Sequence, residues 1–163
     1  MCKRVIWWCL TIACGALILS FSLQSVKTSL EISGTVTDTL LQYDAEYQAL
    51  PDSSKQTHNN QFHDDLRNVA HVVVFSIFGF CASMLVRTYT KKRWWMIALP
   101  ACMAFAIVDE GVQFLQHSGR SFEISDIGRD WLGIGLGVAF AAVVSWIVIN
   151  KEKRKHGVSG TGT

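Results

Sequence analysis

Four stretches of this chain are apolar over lengths close to what a helix needs to cross a bilayer: residues 5–23, 69–86, 94–108 and 131–149. A helix rises ~1.5 Å per residue, so roughly 20 apolar residues cover a ~30 Å hydrocarbon core. Three of the runs, of 19, 18 and 19 residues, meet that length, and the third, of 15, falls short. The chain has 163 residues, and the longest piece left between runs is the 45 residues 24–68. That is too few to bury a sizeable core of its own. A water-soluble globular enzyme is therefore excluded, and the expectation is an all-α fold: one integral membrane domain over 1–163, a four-helix bundle with spans at about 5–23, 69–86, 94–115 and 131–149. The first run follows Lys3 and Arg4, as a secretory signal does. It is long for a signal core and no small-x-small cleavage site follows it, so an uncleaved signal-anchor is expected.

Charge sets the expected orientation. Lys3 and Arg4, then Arg87, Lys91, Lys92 and Arg93, then Lys151, Lys153, Arg154 and Lys155 fall on one side of the spans, with Glu152 as the one acid there, a net of +9. The two remaining loops and the polar helix ends carry a net of −7. The positive-inside rule then puts both termini in the cytoplasm of a multi-pass plasma-membrane protein. Trp7, Trp8, Trp94, Trp95 and Trp146 are expected at the inner interface and Trp131 at the outer, as belt residues. The overall +2 is thus a sum of opposites; short basic clusters facing an anionic leaflet point to membrane lipids as partners and not to nucleic acid. The five cysteines form no CxxC pair, so they read as small buried hydrophobes, and no metal or other cofactor is expected.

In the first outer loop Val36, Leu40, Tyr43, Tyr47 and Leu50 recur at helical spacing, which predicts a short extracytoplasmic amphipathic helix. Pro51 is expected to end it, residues 52–61 to form a solvated linker, and Asp64 or Asp65 to cap the second span.

Polar residues then gather at the outer ends of the spans. Arg67, His71, Phe75 and Gly79 share a helix face by their spacing of four. The third run reaches Asp109 after only about 22 Å, so completing the crossing draws Asp109, Glu110 and Gln113 below the outer boundary. Carboxylates there cost a few kcal/mol each on insertion scales, ~2.5–3.5 at a helix centre, and rarely face lipid. Asp126 and Asp130 continue through Gly133, Gly137 and Ala141 as one stripe whose small residues let another helix approach closely. Arg67, Arg120 or Arg129, the last two placed in the connecting loop, are expected to pair with some of these acids. The candidate ligand-binding residues are therefore Arg67, His71, Asp109, Glu110, Gln113, Arg120, Asp126 and Asp130.

In order along the chain, F-S-x-Q (Phe21, Ser22, Gln24), R-x-x-A-H (Arg67, Ala70, His71), D-E-x-x-Q (Asp109, Glu110, Gln113), G-R (Gly119, Arg120) and D-x-x-x-D-x-x-G-x-x-x-G (Asp126, Asp130, Gly133, Gly137) resemble the VanZ-like membrane proteins. The resemblance covers nearly the whole chain. It departs at Asn68 and Phe75, where members often carry lysine and tyrosine, and at His117 and Ser118, where many carry a proline in a loop one residue shorter. It implies a small bacterial cell-envelope membrane protein, in a family named for a member that confers resistance to the lipoglycopeptide teicoplanin. Two functions are consistent with the residues. The first is binding of a lipid-linked envelope precursor, lipoglycopeptide or other lipidated anion at an outward polar pocket, since arginine grips phosphate or carboxylate through paired hydrogen bonds. The second is an intramembrane enzyme acting on an envelope lipid or glycolipid, with His71 as general base or metal ligand and Asp109, Glu110, Asp126 or Asp130 as acid, base or ligands to a divalent cation; no serine stands at an activating spacing from His71, so binding is favoured. A transporter ranks last, because the inner halves of the spans are apolar.

Overall fold

The computed structural model describes residues 2–23, 51–90, 92–115 and 124–158. Four helices account for nearly all of them: α1 (Cys2–Ser22), α2 (Asp52–Arg87), α3 (Trp95–Leu115) and α4 (Ile124–Val158). Each contains a segment long and apolar enough to cross a membrane, at Lys3–Ser22, Asn68–Arg87, Trp95–Leu115 and Ile124–Lys151. The chain is an all-α, multi-pass membrane protein. The amphipathic helix expected around residues 36–50 lies outside the described residues.

The helices run alternately up and down, which brings α2 and α4 together as a parallel pair. The N-terminus of α1 meets the C-terminal end of α2: the Arg4 guanidinium donates to the Thr88 carbonyl at 3.3 Å and lies 4.9 Å from the centre of the Tyr89 ring, and Trp8 Nε1 donates to the Tyr89 hydroxyl at 2.9 Å. The turn into α3 places Arg93 in the left-handed region, at φ 58°, so that the Arg93 and Trp94 carbonyls accept from the first amides of the next helix. Pro100 sits inside α3. Its missing N–H frees one carbonyl near the start of the helix, which membrane helices tolerate.

Glycine sets the closest contact. A Cβ built on Gly133 would lie 2.5 Å from the Val72 carbonyl oxygen, and one on Gly137 only 2.1 Å from that of Ser76; on the facing helix, one on Gly79 would lie 3.0 Å from the Ile134 carbonyl oxygen. With no side chains between them, α2 and α4 pack backbone to backbone, and the Ser76 hydroxyl fills the seam by donating to the Val72 carbonyl (2.7 Å) and the Gly133 carbonyl (2.9 Å). Lipid tails are as apolar as leucine, so such close packing, and not exclusion of water, holds membrane helices together. Around the seam Ile18, Phe75, Phe78, Ala82, Cys102, Ala106 and Ile134 form one buried cluster, and Trp94, Ala98 and Ala141 a second nearer the basic end.

Two expectations are corrected. Residues 52–61 are helical, not a linker: α2 begins straight after Pro51, with no side-chain cap, and Asp64 and Asp65 lie in its interior. Polar composition does not by itself stop a helix. No glycine or proline occurs between residues 52 and 78, and a span that already exists serves as the nucleus, so each added turn costs only propagation. Lys55, Asn59, Phe62 and Leu66 are half-buried along one face of this extension. At 36 residues, α2 rises about 54 Å, well beyond a ~30 Å core. The second correction is Trp94, which is 7% exposed and packs in the core instead of standing in the interfacial belt.

Candidate functional site

Three of the helices bury a stripe that is apolar or small through the middle of the bundle and turns polar near one end. On α1 it is Gly15, Ile18 and Ser22; on α3, Ala98, Cys102, Ala106, Asp109 and Gln113; on α4, Asp126, Asp130, Gly133, Gly137 and Ala141. The helical period explains why these polar groups face inward. A residue three or four positions beyond a buried one shares its face, so once Ala106 is in the core, Asp109 and Gln113 follow. The length of α3 explains their depth. Its 21 residues rise about 31 Å, so the last two turns, acids included, belong to the crossing.

At that end the groups join into two bonded sets. In the first, the Ser22 hydroxyl donates to Asp109 Oδ1 at 2.6 Å, Gln113 Nε2 donates to Asp109 Oδ2 at 3.1 Å, and the same Nε2 reaches the Ser22 oxygen at 3.3 Å. Asp109, 1% exposed, is thus clamped by two neutral donors, one from α1 and one from its own helix. In the second set, His71 Nδ1 lies 2.9 Å from Asp130 Oδ1. The imidazole, 21% exposed, stacks near Phe75 at 6.4 Å between centroids, and Asp130 is 1% exposed. Asp130 Oδ2 is buried with no hydrogen-bond partner among the described residues. The two sets are electrostatically coupled, since Asp109 feels the fields of both Asp130 and His71.

One turn further out on α4, the Asp126 carboxylate, only 3% exposed, is ion-paired to Arg129. Arg129 therefore belongs to the helix and not to the preceding loop. Asp126 is also close enough to Asp130 for the two charges to repel. Glu110 is buried as well, at 3%.

Among the sequence-predicted residues, His71, Asp109, Glu110, Gln113, Asp126 and Asp130 are thus all placed at this end of the bundle, and the bonds above join His71 to Asp130 and Asp109 to Gln113. Arg67 lies one turn before His71 on α2, but its side chain, like the whole of Arg120, lies outside the described residues. Two members absent from the predicted site join it: Ser22 and Arg129. Ser22 stood in the F-S-x-Q run, yet spacing gave it no partner, because its acceptor is 87 positions away. Arg129 was separable from the loop only by knowing where α4 begins.

Chemically the arrangement offers buried carboxylates, a carboxylate-bound imidazole and a guanidinium within a lipid-embedded bundle. Among the described residues no three His, Cys, Asp or Glu side chains are grouped as metal ligands would be. Neither a curated protein nor a solved structure matches the chain. A family model does, over residues 7–146, which takes in all four helices and the polar end, and by that match the chain belongs to the VanZ/LLP1 family.

Proposed function

We propose that this protein binds a lipid-linked or lipidated anionic ligand at the polar end of its bundle, on the outer face of the bacterial plasma membrane, as a cell-envelope protein and not primarily as an enzyme. The observation that carries the reading is that three helices commit buried ionisable or hydrogen-bonding side chains to one end, where α2 adds the part-buried His71. Ionisable groups at membrane depth are expensive, and function is the ordinary reason for keeping them. In this reading Arg67, Arg120 and Arg129 take the anion and the carboxylates orient the arginines, as Asp126 holds Arg129. His71, Asp109, Glu110, Gln113 and Asp130 complete the wall of the site. The ligand's acyl or prenyl chain stays in the bilayer beside the helices. A lipid-tailed glycopeptide antibiotic has the same two-part chemistry, so a role in teicoplanin-type resistance belongs to this proposal.

Mass spectrometry of the protein extracted with its surrounding lipid tests the reading: a stoichiometric, unmodified lipid species with an anionic phosphate or carboxylate group should accompany the intact protein and be depleted by Arg129→Lys and Arg120→Lys, since a point ammonium cannot reproduce a two-bond grip. Recovery of only bulk lipid in bulk proportions would remove it.

One observation favours a second reading, an intramembrane enzyme acting on an envelope lipid or glycolipid. His71 is held through Nδ1 by a buried aspartate, which leaves the opposite ring nitrogen as a base, the orientation used in proton-transfer dyads. Ser22, however, is bonded to Asp109 and not to His71, so the dyad has no bonded nucleophile. Altered lipid products that accumulate only with intact His71 would decide for the enzyme.

A further inference from the structure

The charge balance inside the site constrains the ligand further. Asp109 accepts from Ser22 and Gln113, both neutral donors, and among the described residues Asp130 accepts from His71 alone. Both carboxylates are 1% exposed and feel each other's field. Among the described groups bonded to these two carboxylates, only His71 can carry a positive charge. The unmet demand has a specific address, because among the described residues Asp130 Oδ2 is buried and accepts no hydrogen bond, whereas both oxygens of Asp109 are occupied. A buried charged acceptor left unmade is among the costlier defects a fold can carry.

We infer that Asp130 Oδ2 is the seat of a primary ammonium on the ligand, so that the site takes a zwitterionic lipid headgroup in which an ammonium stands close to a phosphate. The inference rests on the proposed binding of a lipid-linked anion, with the phosphate as that anion, and adds the cationic half of the headgroup.

The chemistry favours ammonium over its alternatives. A hydroxyl, as on a sugar or glycerol headgroup, supplies a hydrogen bond but no charge. A guanidinium is planar and wide, and would need two free acceptors side by side, of which Asp130 has one. A quaternary ammonium has charge but no N–H to donate. A primary ammonium is compact and carries three donors. One of them meets Asp130 Oδ2 while its charge offsets the Asp109–Asp130 repulsion. The phosphate then lies toward the rim, where the partly exposed Arg129, the residue before Asp130, pairs with Asp126 one turn further out.

The test is a headgroup series on the intact protein in detergent, read by native mass spectrometry. Short-chain phosphatidylethanolamine, its N-trimethylated counterpart phosphatidylcholine, and phosphatidylglycerol are titrated separately, with water-soluble glycerophosphoethanolamine as a competitor. Phosphatidylethanolamine is expected to bind about tenfold more tightly than the other two, the difference one charge-assisted hydrogen bond makes. Asp130→Asn is expected to collapse that preference, bringing phosphatidylethanolamine binding to the level of phosphatidylglycerol in the same variant. Competition by the soluble headgroup at comparable concentration would assign the preference to a free phosphoamine, and its failure would assign it to the lipid. Equal binding of all three lipids overturns the ammonium seat and leaves the lipid-anion reading standing; a preference that survives Asp130→Asn also overturns the seat. Absence of binding by any of the three lipids removes the lipid-anion reading itself, and the seat with it. The wild-type series needs no variant to fold, so a poorly folding Asp130→Asn does not rescue the inference.

Discussion

At the scale of single residues, the polar end is a set of acceptors whose donors come from elsewhere in the chain. Ser22→Ala would leave Asp109 Oδ1 buried without its 2.6 Å donor. The expected loss is ~1–3 kcal/mol, the cost of an orphaned buried acceptor, read as a lower unfolding midpoint in detergent, while Ser22→Thr, which keeps the hydroxyl, should retain most of the stability. A Ser22→Ala protein as stable as wild type would mean that the Ser22–Asp109 bond contributes nothing. Arg129→Ala removes the guanidinium ion-paired to the 3% exposed Asp126. Breaking a buried pair from one side costs up to ~3–5 kcal/mol, whereas replacing both partners is far milder. The double variant Asp126→Asn with Arg129→Gln should therefore be recovered from membranes at higher levels than Arg129→Ala alone. Quantitative blotting of the two against wild type checks the order.

At the scale of the helices, the α2 and α4 seam depends on the absence of side chains. Gly137→Ala puts a methyl where a Cβ meets the Ser76 carbonyl oxygen at 2.1 Å. Both parties are backbone, so the helices must separate, with a cost in the range of ~1–3 kcal/mol for overpacking; Gly137→Leu should cost more. Gly135 is the internal control, because nothing lies within 4 Å of its Cβ position. Gly135→Ala should be neutral or slightly stabilising, by up to ~1 kcal/mol of helix propensity. Thermal unfolding of the three variants side by side separates a packing glycine from a bystander, and equal behaviour of Gly135→Ala and Gly137→Ala would refute the seam. The same pairing makes the seam a lever on the site, since Gly133, four residues inward of Arg129, holds α4 against Val72, and Val72 adjoins His71. Loosening it should stretch the His71–Asp130 bond before it disturbs Asp109, which is clamped by α1 and α3.

At the scale of the whole molecule, four crossings return the chain to the side where it started, and the distribution of charge chooses which side that is. The basic end gathers Lys3, Arg4, Lys92 and Arg93, all exposed, with Lys151 on the extension of α4. A green fluorescent reporter fused after Lys155 is expected to fluoresce, and an alkaline phosphatase fused there to be inactive, because basic flanks stay in the cytoplasm; the opposite pattern would invert the proposed orientation and put the polar end inside the cell. The sequence by itself determined the number of helices, their class and which residues are too costly to face lipid, because hydropathy over a bilayer's thickness and a period of 3.6 are local properties. The expectation that Asp109 turns away from lipid came from the shortness of the third apolar run, and the carboxylate is buried within the bundle. The motif resemblance reached the family for the same reason, as its spacings are those of helix faces. What local pattern could not decide was pairing. Ser22 with Asp109 and His71 with Asp130 are contacts between residues 87 and 59 positions apart, set by which helices neighbour one another. The continuation of α2 back to Asp52 was equally out of reach, because a polar segment reads as linker unless it is known to grow from a helix already formed. The unpaired oxygen of Asp130 is the extreme case: a carboxylate has two oxygens in any sequence, and only the packing of α2, α3 and α4 decides that one of them is buried with nothing to accept.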